Sequence, residues 1–217
     1  IVSENYLPLL YPSPFNTYEG ETVPLRVSAE DLFAAGFSAR FVTDENIWKL
    51  NYVLDQYGIT GVDDIRHFLS QGLIETGYGR SYSEDDNIYT SNYSGGEKYR
   101  GAGIIHITGK ESYDSFYHWK KEGKCINGDN KSVSADEFSI KVEFVDDPTI
   151  IDDGYVSVAE KYPIESGAWY WVVYKPGLQK TADSGAAPDR ITDFVNSLTD
   201  TRQIRNEAHE KITKIIK

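Results

Sequence analysis

The rhythm of apolar and polar positions turns helical at Ser28. Ser28-Ala-Glu-Asp31 has the form of a helix capping box with an acidic third position. Ile47, Leu50, Val53 and Leu54 recur at helical spacing and predict a helix over 45–57 that ends before Gly58. A second apolar helix is predicted over 63–76, with Ile65, Phe68, Leu69, Gly72 and Leu73 on one broad face and His67 pointing away from it. The run "GIIHITG" (103–109) reads as a short β-type stretch bounded by glycines. Helical patterns return over 111–121 and 156–174, separated by a polar, loop-rich stretch. A final helix is predicted from the capping-box variant Asp200-Thr-Arg-Gln203, with a stripe of Ile204, Ala208, Ile212 and Ile215. Residues 1–27 carry Pro8, Pro12, Pro14 and Pro24 without periodicity and read as an extended arm or linker. No internal repeat is visible. The pattern predicts a mainly α fold with a small β element, formed by one domain over 28–217.

Composition narrows the setting. At 217 residues and 40% hydrophobic content the chain can bury a full core. A net charge of −12, with no long basic run, argues against nucleic acid as a partner. No apolar run approaches the ~20 residues that span a bilayer. The single cysteine, Cys125, excludes an intrachain disulfide framework and a cysteine-based zinc site, and it reads as a passive thiol. A start at Ile1 and the absence of methionine predict a cut from a precursor or from a longer protein, with room for a signal peptide lost from view.

Candidate chemistry centres on two carboxylates. Glu75 lies about 20° around the helix from Phe68, at the edge of the apolar face. Desolvation there disfavours the charged form of a carboxyl, which is what a general acid needs. Glu84 follows across a glycine-rich bend, among Ser83, Asp85 and Asp86, where a carboxylate stays solvated. A pair placed in such different surroundings suits glycoside hydrolysis, although a solvated glutamate at a helix end is the commoner meaning of Glu75 alone. Other signals are weaker. Gly101-Ala-Gly103 is a bare GxG without dinucleotide-binding context, better explained by a tight turn. The histidines at 67, 106, 118 and 209 have no metal spacing. Trp169 and Trp171 read as core.

"IRHFLSQGLIETGYG" (65–79) followed by "YRGAGIIHITGKESY" (99–113) resembles the family 19 glycoside hydrolases, the chitinases and phage-type endolysins of the lysozyme-like superfamily. The similarity continues through "DDP" (146–148), "ESGAWYW" (165–171), "ITDFVN" (191–196) and Arg205, in family order. The resemblance implies a mainly α, bilobal lysozyme-like domain with a small β element and a central cleft. It implies Glu75 as general acid, Glu84 as general base and Thr108 as the hydroxyl that holds the attacking water. It also implies substrate-cleft roles for Tyr99, His106, Tyr113, Asn196 and Arg205. No metal or cofactor is expected. The expected partner is a polysaccharide, the expected location extracellular or at the cell wall, and the expected state a monomer or part of a larger secreted protein.

Departures from the family pattern bear on substrate. Ile74 stands where the family has His before the acid, Ala102 where it has Arg, His106 where it has Gln, and Ser112 where it has Asn. Room at Ala102 and a donor at His106 point to bacterial peptidoglycan rather than chitin as the expected polymer. "ETGYGRS" (75–81) also resembles family 73 glucosaminidases, which would cut the same class of β-1,4-linked aminosugar chain. A sugar-binding module without catalysis is the non-enzymatic alternative. In the inverting scheme the carboxyls stand about 6.5–9.5 Å apart, with Glu75 protonating the leaving oxygen while Glu84 activates water.

Overall fold

The computed structural model describes residues 15–18, 20–84 and 94–217. Strands β1 (Phe15–Tyr18) and β2 (Glu21–Pro24) pair antiparallel and lie on helix α2. This hairpin occupies the end of the segment read from sequence as an extended arm; residues 1–14 fall outside the described residues. It is joined to α2 by polar contacts, since Asn51 Oδ1 accepts from the amides of Arg26 and Val27, at 2.7 and 2.9 Å.

Helices α1 (Ala29–Ala35), α2 (Asp44–Gln56) and α3 (Val62–Glu75) follow within about a residue of their sequence positions. The expected capping box is formed at α1: Asp31 N donates to Ser28 Oγ, and Ser28 N donates to Asp31 Oδ2. Next come α4 (Lys110–Glu122), the small antiparallel pair β3 (Lys124–Ile126) and β4 (Ser132–Ser134), and the short helices α5 (Ala135–Phe138), α6 (Thr149–Asp152) and α7 (Tyr155–Lys161). Helix α8 (Glu165–Trp169) widens into a π-turn over Tyr170–Tyr174; α9 (Leu178–Asp183), α10 (Pro188–Asn196) and α11 (Arg202–Ile215) complete the chain. Among the described residues the architecture is mainly α, with two small hairpins.

Helix α3 runs through the middle, and α9, α10 and α11 pack around it. His67 therefore does not face solvent, as the single apolar stripe suggested. It is 1% exposed and stacks on His209 of α11 with ring centres 4.1 Å apart. A helix enclosed on several sides needs more than one stripe, so Ser70 and Gln71 are buried too. Trp119, Trp169 and Trp171 are wholly enclosed in the core.

Two further expectations are not met by the fold. "GIIHITG" is not a strand: Ala102 and Ile107 bond each other in both directions, so the chain reverses through residues 103–106. The last helix lacks its expected capping box. The Thr201 hydroxyl instead accepts from Arg205 Nε at 3.0 Å and lies 2.8 Å from Thr199 Oγ1. Along α11, Ile204 is half exposed while Arg205 is buried, so the inward face includes an arginine that an apolar stripe does not reveal.

Candidate active site

Glu75 is the last residue of α3, and its carboxylate is held from two sides. Arg205, 2% exposed, reaches from the first turn of α11 and donates Nη2 to Glu75 Oε1 at 2.6 Å. The same guanidinium donates Nη1 to Gln71 Oε1 at 2.6 Å and Nε to Thr201 Oγ1 at 3.0 Å. Gln71 passes the chain on through Nε2 to Thr192 Oγ1 of α10 at 3.2 Å. Glu75 thus ends a network that ties three helices together. Gln71 and Thr192 were not singled out in the sequence. Gln71 lies one helical turn before Glu75, and that spacing is the signal that identifies it as a neighbour.

On the other side of the carboxylate lies the 103–106 turn. Helix α3 approaches it closely at Gly72, where a Cβ would lie 2.7 Å from Ile104 Cγ1. His106 closes the turn in the left-handed region, at φ 53°, a conformation uncommon for a side chain other than Asn, Asp or His. Its Nδ1 stands 3.5 Å from Glu75 Oε2. Burial pushes the imidazole below its ordinary value, against the pull of the Glu75 and Glu84 carboxylates, and Arg205 pushes it the same way as burial. Among the described residues, His106 Nε2 is enclosed without a hydrogen-bond partner.

The segment after α3 delivers Glu84. Gly77, Tyr78 and Gly79 all adopt positive φ, and the buried Thr76 pins the turn by donating to Gly72 O and accepting from Gly79 N. This accounts for Glu-Thr-Gly-Tyr-Gly as a local unit. The chain then runs antiparallel to 101–103: Gly103 N donates to Tyr82 O, and Glu84 N to Gly101 O. The Glu84 side chain folds over Gly101, where a Cβ would lie 2.7 Å from its Cδ, and Gly101 N donates to Glu84 Oε2 at 3.1 Å. A residue larger than glycine at 101 would displace the carboxylate.

Tyr113 is fully buried, so it does not line an open cleft. Its hydroxyl donates to Arg100 O at 2.7 Å. That carbonyl belongs to the same peptide group whose N–H, on Gly101, binds Glu84, so Tyr113 fixes the peptide on which Glu84 rests. Hydrogen bonds in series through one peptide reinforce each other. Tyr99 is also buried and packs edge-on against Tyr113, with ring centres 5.3 Å apart. Thr108 is exposed and donates to His106 O at 2.8 Å, which leaves its oxygen lone pairs as acceptors. Asn196 is exposed at the end of α10. Glu75, Arg205 and His106 form one cluster, with Glu84 in electrostatic reach of His106; Tyr99 and Tyr113 stand behind Glu84.

Ala102 is wholly enclosed, and Ser112 is 3% exposed with its hydroxyl shared between Thr108 O and Gly109 O. Neither residue widens a cleft. Asp147 of "DDP" is structural: it accepts from Thr149, Lys161 and Tyr162 around the start of α6. A cavity of about 520 Å³ lies elsewhere, between α4 and the β3–β4 loop, and is lined by Glu111, Asp114, His118, Cys125 and Tyr174. Burial raises the Cys125 thiol above its ordinary value, in keeping with a passive role. Among the described residues, no group of three or more His, Cys, Asp or Glu side chains is placed to hold a metal ion.

No protein-family model and no curated protein matches the sequence. Solved structures do. A bacterial family 19 chitinase superposes with a TM-score of 0.55 at 15% identity, covering 88% of this chain and 94% of its own. Chitinase C from Streptomyces griseus HUT6037 gives 0.54 at 16% identity, covering 88% of this chain and 77% of its own. At such identity the likeness is one of fold, and the chain has the mainly α, lysozyme-like fold of family 19 chitinases.

Proposed function

We propose that this chain, built on the fold of family 19 chitinases, hydrolyses β-1,4-glycosidic bonds of an aminosugar polymer by single displacement. The observation that carries this reading is the contrast between the two carboxylates. Glu75 is 12% exposed and held by a buried arginine; Glu84 lies on a backbone amide across the 101–103 turn.

In this reading the two oxygens of Glu75 differ. Arginine has donors only, and Arg205 already donates to Oε1, which makes Oε2 the better site for a carboxylic proton. The proton is carried on Oε2 and delivered from there to the leaving glycosidic oxygen. Glu84 takes a proton from the water that attacks the anomeric carbon from the opposite face. Gly101 N–H fixes the direction of that carboxylate, and Thr108 Oγ1 accepts a hydrogen bond from the same water. One proton leaves Glu75 and one arrives at Glu84, so the site is reset by exchange with solvent. Protonation by a fixed acid and water activation by a fixed base contribute about 10²–10⁴-fold each.

Within this class two polymers compete. Peptidoglycan is the polymer that His106 suggests from sequence, where it stands in place of the family's Gln. Chitin is favoured by the solved structures of like fold, which are chitinases, and by the enclosure of Ala102 and Ser112. Turnover on purified peptidoglycan and on a chitin hexamer, with Glu75→Gln as control, tests both. The variant should lose about 10²-fold or more on whichever polymer the wild type cuts. Residual activity above about a tenth of wild type would remove Glu75 from the role of acid.

A further inference from the structure

His106 reads from sequence as a substrate contact, yet its nearest charged neighbour is the acid itself. We propose that His106 is a positioning residue for Glu75, gripping Oε2 through its Nδ1 edge while Arg205 grips Oε1, so that the proton-bearing oxygen is held toward the substrate. The inference rests on the hydrolytic reading and deepens it.

Three observations carry it. The first is the division of the carboxylate: Arg205 Nη2 lies 2.6 Å from Oε1, and His106 Nδ1 lies 3.5 Å from Oε2. At 3.5 Å the second contact falls short of a full hydrogen bond, so Oε2 is restrained without being committed to the imidazole. Catalytic hydrogen bonds are commonly long in the free protein and tighten in the substrate complex. The second is the backbone. His106 holds its left-handed conformation between Gly103 O, which accepts from its amide, and Thr108 Oγ1, which donates to its carbonyl. Uncommon backbone conformations persist where the surroundings over-determine them, and here they aim one side chain at one carboxylate. The third is protonation. Burial disfavours the charged imidazole, with Glu75 and Glu84 acting against burial and Arg205 acting with it. A neutral imidazole has one N–H and one bare nitrogen, so it faces Oε2 without placing a fixed charge beside the acid. A fixed donor such as a lysine would favour only the ionised acid.

Amide replacements separate this role from a substrate contact. The Asn amide stands where Nδ1 stands, and the Gln amide reaches where Nε2 stands, so the two variants keep opposite edges of the ring. Asn also tolerates the left-handed conformation. His106→Asn is expected to hold kcat within about fivefold of wild type, whereas His106→Gln and His106→Ala should lower kcat by about 10²-fold with KM changed less than about threefold. Melting curves of each variant establish the folded fraction used in the comparison. A Gln variant more active than the Asn variant, or a loss confined to KM, would overturn the proposal and leave His106 as a substrate contact. Equal kcat in all three variants would also overturn it. A second readout needs no substrate: at one fixed pH, the carbon-13 chemical shift of the labelled Glu75 carboxyl should move in His106→Ala and stay near its wild-type position in His106→Asn. Equal shifts in all three proteins sink the positioning role. A moved shift in a protein that cuts no aminosugar polymer sinks the hydrolytic reading alone.

Discussion

Arg205 is the residue on which the arrangement depends most. The residue is 2% exposed, and its guanidinium satisfies Glu75, Gln71 and Thr201 together. Removing one member of a buried ion pair leaves the other without compensation, at about 3–5 kcal/mol. Arg205→Leu is therefore expected to lower unfolding free energy in urea by about that amount and to lower kcat as Glu75 loses its orientation. A loss below about 1 kcal/mol, the size of an exposed pair, would show that the network carries little. At this scale the sequence is readable in part. Resemblance placed Glu75 and Arg205 together, and they touch. It set Tyr113 among the cleft residues, whereas Tyr113 lies behind the peptide that bears on Glu84. The difference has a physical origin: an aromatic beside a site and an aromatic beneath it have the same spacing in the chain. Ala102 misleads for the same reason, since loss of a long side chain opens room only where that side chain faced solvent.

Helices α3 and α11 show how far periodicity carries. It places both elements and fails to find their second buried faces, where His67 meets His209 and Arg205 meets Glu75. The histidine pair makes this packing sensitive to pH. Burial, and next the charge of His209, lowers His67 from 6.5 to about 4, and burial lowers His209 as well. Asp63 and Arg66 on α3 and Glu210 on α11 complete the charged surroundings. The folded protein thus favours neutral imidazoles. Their contribution is fully present above about pH 6.5 and is lost as pH falls toward about 4, because the unfolded chain binds protons first. Asp64 acts in the opposite sense. Burial raises it to about 6, so its neutral form favours folding at low pH and that contribution fades as pH rises through about 6. Comparing wild type with His67→Phe cancels Asp64. Wild type should lose more melting temperature than the variant between pH 7.5 and pH 4.5, in runs at those two settings. Parallel losses would contradict the assignment to the histidines.

Taken as a whole, the molecule places Glu75 at the end of a buried central helix and Glu84 on a turn-borne segment stitched to 101–103. This division explains why two carboxylates close in sequence experience different surroundings. The mainly α architecture was legible from apolar spacing, glycine boundaries and the order of family-like motifs. The N-terminal hairpin and the β3–β4 pair were not, because strands of three or four residues leave too few alternating positions to show a period of two. The tight reversal at 103–106 reads as a strand in sequence because Ile104, Ile105 and Ile107 favour strands by composition, while the pairing of Ala102 with Ile107 decides the turn. The central claim is chemical: Glu75 and Glu84 act on opposite faces of a β-linked sugar. Proton NMR of the first product released from an aminosugar oligomer tests it most directly, read before the anomers equilibrate. The account predicts the α-anomer from wild type and no product from Glu75→Gln over the same interval. A first product in the β configuration would contradict single displacement and the roles assigned to the pair.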